Sequence, residues 1–277
     1  MTRIIRFFIL ASIFVVPITS AQDNPEQAAI DAMGEFITAW NTGSKAELGK
    51  TLNYPNFTLF GPGQLNIAND ADAFSVDFDQ LRDREDWRRS TFEDFRTSAV
   101  TANQVHLSCT YSRINSKDEV YRSGRVFYIV SKQDGHWGMQ LRSGLSAGAP
   151  NAAAETAARE TINAFFSAWN SEDNDATNKV MNFPHAFLIR GGRAAIANSA
   201  EQQQTNFEAM RKREEWDKSE YKDLDIFYAA PDKVLANLTF TRHKANGEIY
   251  ATVPVLWIFT NQDGHWGIQF RAILGDV

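Results

Sequence analysis

The chain has 277 residues, of which 43% are hydrophobic and 22% charged, a composition typical of a soluble globular protein. Its formal net charge of −6 at pH 7 provides no overall field that attracts nucleic acid or anionic lipid, so we expect no nucleic-acid partner. The single cysteine, Cys109, excludes an intramolecular disulfide and a cysteine-based metal site.

The first 21 residues predict a signal peptide. Arg3 and Arg6 give a positive start, an apolar run follows at 7–18, and small residues precede a cleavage point after Ala21. The run is shorter than the roughly 20 residues that a transmembrane helix needs. We therefore expect a periplasmic or secreted protein with no stable membrane anchor after cleavage. An uncleaved N-terminal anchor is the alternative.

The remainder of the chain is an internal repeat. The sequence Gln-Asp-Gly-His-Trp-Gly at 133–138 recurs at 262–267, an offset of 129 residues (262 − 133). A repeat as long as a domain indicates a duplicated domain rather than a solenoid. We predict domains at 22–145 and 155–277, joined by a linker at 146–154 that is rich in Ala, Gly, Ser and Pro.

In chain order, each copy begins with a predicted helix whose apolar residues recur at helical spacing. A short second helix follows and is expected to end at an Asn-aromatic-Pro sequence, because the residue before proline avoids helical geometry. A brief hairpin, a third helix and four antiparallel strands complete the copy. The second and third helices are predicted at 45–52 and 70–86 in the first copy, and at 176–181 and 199–215 in the second.

The order of elements resembles the NTF2-like (SnoaL-like) superfamily, as do the Ala-Trp-Asn sequences that end the first helices and the Gly-His-Trp-Gly sequences that open the last strands. These sequences are 39–41, 168–170, 135–138 and 264–267. The resemblance covers the whole mature chain in two copies. It implies an α+β fold of two tandem cone domains, each with N-terminal helices packed on a curved, mostly antiparallel sheet around an apolar pocket.

Asn182-Phe183-Pro184-His185 resembles a bacterial branch of this superfamily with undefined function, and the first copy departs from it at Asn56. The resemblance also implies pairing through sheet faces. The two copies would then form a pseudo-dimer within one chain, and further homo-oligomers stay open.

Arginines and tyrosines that match between the copies are candidates for lining the pockets. An arginine in an apolar cone can bind a carboxylate or phosphate bidentately, although the solvated sheet face and the interdomain contact are alternative places for it. Two matched tryptophans either line the pocket or, by default, pack in the core. The pocket candidates are Trp87, Arg113, Tyr121, His185, Arg190, Trp216, Arg242 and Tyr250.

His185 is the candidate for catalysis, because we expect it at a loop-to-strand junction near the mouth of the pocket. As a general base it needs an orienting partner, which the sequence does not identify, and a structural hydrogen bond is the alternative. The histidines lack metal-ligand spacing and there is no glycine-rich phosphate loop. We therefore expect neither a metal nor a cofactor.

Two functions stay open. The first is an exported protein without catalytic activity that binds a small apolar or amphipathic ligand, or acts as an interaction module; the absence of a matched acid–base pair favours it. The second is a lyase, isomerase or hydrolase that acts on a small organic substrate in the pocket of domain 2, using His185 with Arg190 or Arg242. The sequence identifies neither the ligand nor the reaction.

Overall fold

The computed structural model describes residues 24–61, 63–148 and 150–274, so the predicted signal peptide lies outside the described residues. The helices are α1 (Pro25–Thr42), α2 (Lys45–Gly49), α3 (Phe78–Glu85), α4 (Ala152–Asn170), α5 (Asn174–Asn178) and α6 (Phe207–Glu214). The strands are β1 (Leu52–Leu59), β2 (Leu65–Ala68), β3 (Trp87–Val100), β4 (Gln104–Asn115), β5 (Val120–Gln133), β6 (His136–Leu145), β7 (Met181–Leu188), β8 (Ala194–Ala197), β9 (Trp216–Ala230), β10 (Lys233–Lys244), β11 (Ile249–Gln262) and β12 (His265–Ile273). None of the described helices is long and apolar enough to span a membrane.

The strands form two six-stranded sheets with the orders β2-β1-β6-β5-β4-β3 and β8-β7-β12-β11-β10-β9. Neighbouring strands are antiparallel except for β1 with β6 and β7 with β12, which are parallel. The two sheets therefore repeat one topology. The predicted α+β fold with a mostly antiparallel sheet in each of two copies is confirmed.

The short helices differ from the prediction. The third helix is limited to α3 and α6, because Asp77 and Asn206 cap these helices and accept hydrogen bonds from the backbone N–H of Gln80 and Ala209, at 2.8 Å each. The two Asn-aromatic-Pro sequences lie inside β1 and β7 rather than at a helix end.

The linker region also contains helical residues. Asn151 caps α4 and accepts from the Ala154 backbone N–H at 2.9 Å, so that α4 begins at Ala152, within the segment 146–154.

The central strands β5 and β11 are buried on both faces, which explains their continuous apolar sequences. In β5, Tyr128 and Val130 pack towards α1, whereas Ile129 belongs to a second core. In β11, Trp257 packs towards α4 and Ile258 contributes to the same second core. Each sheet therefore encloses a cone on one face and contacts the other copy with the opposite face.

The second core joins the two copies. The rings of Phe57 and Phe270 meet at 5.2 Å between centroids. Lys233, which is 1% exposed, lies in the same interface, where its Nζ donates to the backbone oxygens of Leu59 and Gly144 at 2.9 Å each and to Ser143 Oγ at 3.0 Å. One face of each sheet is thus covered by the other copy.

Candidate functional site

Each cone encloses a cavity between its first helix and its sheet. The cavity of domain 2 has a volume of about 220 Å³, and that of domain 1 about 80 Å³. The lining residues of the larger cavity are Phe165, Phe166, Trp169, Phe187, Gln203, Thr205, Ser219, Phe240, Arg242, Trp257 and Arg271. Because six of these eleven residues are aromatic, the cavity is an apolar chamber with a few polar groups.

Helix α4 and strand β11 supply most of the aromatic wall. Phe165 and Trp169 are four residues apart on α4 and therefore lie on the same face, where their rings stack at 5.5 Å. Trp257 meets the Phe165 ring edge-on at 5.0 Å and stacks on Phe166 at 5.9 Å. These contacts fix the positions of the rings, so the wall is preformed.

Arg271, on β12, is the buried cation of this cavity. It is 8% exposed, its Nε donates to Nε2 of His185 at 3.1 Å, and its guanidinium lies over the Phe187 ring at 4.5 Å. Among the described residues, its two terminal nitrogens have no hydrogen bond and no carboxylate lies within ion-pair distance. Burial lowers the pKa of Arg271 to about 10, so the side chain remains charged at neutral pH.

His185 lies behind Arg271 and does not line the cavity. Its Nδ1 is 3.1 Å from the carbonyl oxygen of Ile268. Because a carbonyl only accepts, Nδ1 carries the proton and Nε2 accepts from Arg271. Burial and the charge of Arg271 hold the pKa of His185 well below its usual 6.5, so the imidazole is neutral.

The expected position of His185 is corrected by this geometry. The residue is 1% exposed and lies inside β7, where it pairs with Ala197, rather than at a junction near the mouth. Its two ring nitrogens are occupied, so the structure gives it no free atom with which to take a proton from a ligand.

Arg242 lines the same cavity, but its charge is compensated. Its Nη1 donates to Glu214 Oε2, and the hydroxyl of Tyr250 donates to the same oxygen at 3.1 Å. Burial alone raises the pKa of Glu214, yet the hydrogen bond from Arg213 and the charge of Arg242 keep this pKa below its usual value. Tyr250 is thereby directed to Glu214 and is not a lining residue.

Domain 1 repeats this cluster with Arg113, Glu85 and Tyr121. The distances to the Glu85 carboxylate are 2.5 Å from Arg113 Nη1 and 3.1 Å from the Tyr121 hydroxyl. Burial raises the pKa of Glu85, but the hydrogen bond from Arg113 and the positive charge of Arg113 lower this pKa by more. The pKa of Glu85 therefore lies below its usual value. Arg113 lines the smaller cavity and Tyr121 does not.

The remaining predicted site residues lie outside the cavities. Trp87 and Trp216 are buried, and each indole Nε1 donates to a serine hydroxyl three residues later, Ser90 and Ser219, at 2.9 Å. Arg190 is exposed on a short turn after β7. The tryptophans therefore pack the third helices against the sheets rather than contact a cavity.

Arg142 and Arg271 are the functional candidates that sequence reasoning did not select. A signal for them exists: they match at the 129-residue offset and interrupt apolar stretches of the last strands. An arginine that alternates with buried residues belongs to one face of the strand, and here that face is the interior of the cone.

The cavities differ in size, and one of the substitutions between the copies lies beside the buried arginine. Phe74 fills the cone of domain 1 and lies 4.5 Å from the Arg142 guanidinium, whereas Gln203 occupies the corresponding position of domain 2 and lines the open space. Arg142 is also more fully bonded than Arg271, since its Nε donates to Thr58 Oγ1 at 3.1 Å and its Nη2 to the carbonyl oxygen of Ser75 at 3.2 Å.

No group of three or more His, Cys, Asp or Glu side chains within the described ranges is placed to hold a metal ion. The polar groups that line the domain 2 cavity are hydroxyl, amide and guanidinium groups, which can bind an organic ligand through hydrogen bonds.

No protein-family model and no curated protein matches this chain. Solved structures match about half of it. A protein of unknown function with a cystatin-like fold from Nostoc punctiforme is 17% identical, covers 46% of this chain and 93% of its own, and has a TM-score of 0.37. An NTF2-like protein with a cystatin-like fold from Novosphingobium aromaticivorans is 13% identical, covers 44% and 80%, and has a TM-score of 0.36.

An NTF2-like protein of unknown function from Pseudomonas putida is 16% identical, covers 45% of this chain and 88% of its own, and has a TM-score of 0.38. At these identities the likeness concerns the fold alone. The predicted tandem duplication is confirmed by the two sheets, which repeat one topology, and the solved structures that match one copy are described as NTF2-like or cystatin-like.

Proposed function

We propose that this protein binds a small amphipathic ligand in the cone of domain 2. The apolar part of the ligand packs against the aromatic wall, and its polar end meets Arg271. The observation that carries this proposal is a buried guanidinium without a carboxylate partner in the described structure, at the edge of an aromatic cavity of about 220 Å³.

The proposal follows from the energetics of Arg271. A buried charge is costly unless it is paired and fully hydrogen-bonded, yet the partners of Arg271 are one neutral imidazole and the rings of Phe187 and Phe165. A ligand acceptor supplies the missing hydrogen bonds. The aromatic wall stabilises the complex further, because covering apolar surface contributes about 25 cal/mol per Å² removed from water.

Binding is favoured over turnover by the groups that line the cavity. No Asp, Glu or His is among the described lining residues. Glu214, which is close by, is held as a carboxylate by Arg242 and Tyr250. A general acid or base next to the ligand is therefore missing, and this favours the non-catalytic function over a lyase, isomerase or hydrolase.

The same proposal includes export through the signal peptide at 1–21. If the chain is exported and cut after Ala21, mass spectrometry of the N-terminal peptide of protein isolated from the periplasm or medium will show that it begins at Gln22. A protein that retains its first residues and stays with the cell would contradict export without affecting the ligand site.

The test of binding is native mass spectrometry of the protein purified from its natural compartment. We expect a bound mass that is lost on denaturation. Phe240→Trp, which fills the domain 2 cavity, should abolish this mass, whereas Tyr111→Trp at the matching position of domain 1 should retain it. An empty wild-type protein would count against the proposal, and conversion of the bound molecule by the purified protein would establish the enzymatic alternative.

A further inference from the structure

We infer that the domain 2 cone is a site for a single-ring monocarboxylate, bound end-on by the two terminal nitrogens of Arg271, and that His185 is the positioning residue that directs the guanidinium. This inference rests on the proposed function and narrows it to one class of ligand and one of the two cones.

The direction of Arg271 follows from its one hydrogen bond. The Nε–H is occupied by His185 at 3.1 Å, which leaves the two terminal nitrogens as the donors available to the cavity. These two nitrogens present a planar pair of N–H groups with the spacing of the two oxygens of a carboxylate. A bidentate carboxylate that approaches the guanidinium end-on is therefore the acceptor that this arrangement fits.

His185 can hold Arg271 in this way because its own protonation is fixed. The carbonyl oxygen of Ile268 requires a proton on Nδ1, which leaves the lone pair of Nε2 for the arginine. The Phe187 ring supports the guanidinium from one face at 4.5 Å. Both ring and imidazole belong to β7, so one strand orients the cation that the adjacent strand β12 carries.

The charge of the site favours one negative charge. Arg242 is neutralised by Glu214, whereas Arg271 has no carboxylate partner among the described residues, so the lining carries one uncompensated positive charge. A dianion would leave one negative charge buried without a partner, which is costly. The ligand class is thus a monoanion.

The size and the walls of the cavity favour one ring. A volume of about 220 Å³ has room for a compact body such as one ring. Phe165, Phe166, Trp257 and Phe240 offer both ring faces and ring edges to it, the geometries that aromatic pairs prefer.

Domain 1 lacks this arrangement. Asn56 stands at the position of His185, and its Nδ2 donates to the carbonyl oxygen of Met139 at 2.8 Å, as His185 does to that of Ile268. Arg142 instead uses Thr58 and the Ser75 carbonyl, so that it keeps one uncommitted terminal nitrogen in the described structure and cannot present the paired donors. The smaller cone is therefore not a second carboxylate site of the same kind.

The test is isothermal titration calorimetry of the full mature chain with benzoate, phenylacetate, benzyl alcohol and inorganic phosphate. We expect benzoate or phenylacetate to bind at least about tenfold more tightly than benzyl alcohol, and phosphate to bind more weakly than either. Equal binding of the acid and the alcohol would overturn the carboxylate assignment while leaving the proposed function intact. Failure of all the aryl compounds would count against the proposed function itself.

Two substitutions separate the roles of Arg271 and His185. Arg271→Lys keeps the charge but loses the paired donors, and we expect it to weaken aryl-carboxylate binding about tenfold or more with little effect on benzyl alcohol. His185→Asn introduces the side chain that domain 1 has at the corresponding position, Asn56. An asparagine at 185 can keep the hydrogen bond to the Ile268 carbonyl oxygen but does not reach Arg271. We expect it to reduce the preference for acid over alcohol by at least about fivefold.

The matched control is Arg142→Lys in domain 1, which should leave binding of the acids unchanged. The preference for acid over alcohol is a readout that a merely structural role of His185 would not move, provided that circular dichroism shows an intact fold. Unchanged preference in both Arg271→Lys and His185→Asn would overturn the inference.

Discussion

At the scale of single residues, three buried side chains that are charged or can be protonated differ in the partners that compensate for their loss of hydration. Arg271 is supported by an imidazole and a ring, and Lys233 donates to three oxygens of the other domain. His106 has a single hydrogen bond, from Nε2 to the Gln104 side chain at 3.0 Å, and its buried Nδ1 has no partner in the described structure. The contribution of each side chain to stability therefore depends on pH in its own way.

His106 should make the fold sensitive to acid. Burial lowers its pKa to about 3, so below the unfolded value of 6.5 the unfolded chain binds a proton that the folded chain does not. Stability therefore falls as pH decreases through this range, by about 2 kcal/mol at pH 5 relative to neutral pH. His106→Leu introduces the residue that domain 2 has at Leu235 and removes this share of the loss.

The measurement is urea denaturation of wild type and His106→Leu at pH 7 and pH 5, followed by tryptophan fluorescence. The loss of unfolding free energy between the two pH values should be about 2 kcal/mol smaller in the variant. Equal losses in the two proteins would show that His106 is not the origin of this sensitivity.

At the scale of elements, the two sequence motifs that repeat most visibly meet in space. The amide of Asn182, on β7, donates to the Thr260 carbonyl and hydroxyl oxygens at 2.8 Å each and thereby ties the start of β7 to β11. Gly267, on β12, passes so close that a Cβ there would lie 2.7 Å from the Asn182 side chain and 2.8 Å from the Met181 backbone. Asn53 and Gly138 repeat the contact in domain 1.

Gly267→Ala should therefore destabilise domain 2. The added methyl group meets backbone as well as a side chain whose amide nitrogen is itself hydrogen-bonded, so it cannot be accommodated by a rotamer change alone. We expect a loss of about 1–3 kcal/mol in the free energy of unfolding, as for overpacked cores. The measurement is thermal and urea unfolding monitored by circular dichroism.

Gly34→Ala is the matched control for this substitution. Gly34 lies in α1, and a Cβ there would have no heavy atom within 4 Å. Because alanine favours a helix by about 1 kcal/mol over glycine, this variant should be as stable as wild type or more stable. Destabilisation by both substitutions to the same extent would contradict the proposed close contact.

At the scale of the whole molecule, the interface between the copies is apolar except for a few buried polar groups. Lys233 crosses it from β10 and donates to the ends of the adjacent strands β1 and β6 of domain 1, at Leu59, Ser143 and Gly144. Domain 1 has Gln104 at the corresponding position, which bonds to His106 within its own domain. The polar groups of the interface thus differ between the two halves.

Lys233 should make the association of the two halves more stable at alkaline pH. Burial lowers its pKa from 10.5 to about 8, so the unfolded chain keeps a proton that the folded chain releases first. Stability therefore rises with pH between these values, and by about 1 kcal/mol from pH 7 to pH 9. Urea denaturation of wild type and Lys233→Gln at the two pH values measures this difference, and a rise of the same size in the variant would assign it to another group.

Sequence periodicity alone determined the architecture of this protein. The 129-residue offset established two copies, and the alternation of helical and strand patterns established an α+β domain, because burial of one face imposes a period that the local sequence must display. Matching between the copies also identified Arg113 and Arg242, which do line the cavities. The same matching also selected residues that do not line a cavity, because residues that match between the copies can be structural as well as functional. These residues are Trp87, Trp216, Tyr121 and Tyr250.

Only the tertiary structure decided which charged groups are free. His185 and Arg271 meet across 86 positions of sequence, and the compensation of Arg242 by Glu214 spans 28. Neither contact can be predicted from a local sequence pattern. Each depends on how strands from distant parts of the chain pair and on which face of the sheet each side chain lies. The effect of Gln203 in place of Phe74 likewise appears only when the cone closes around it, because the volume of a cavity is a property of packing and not of any segment.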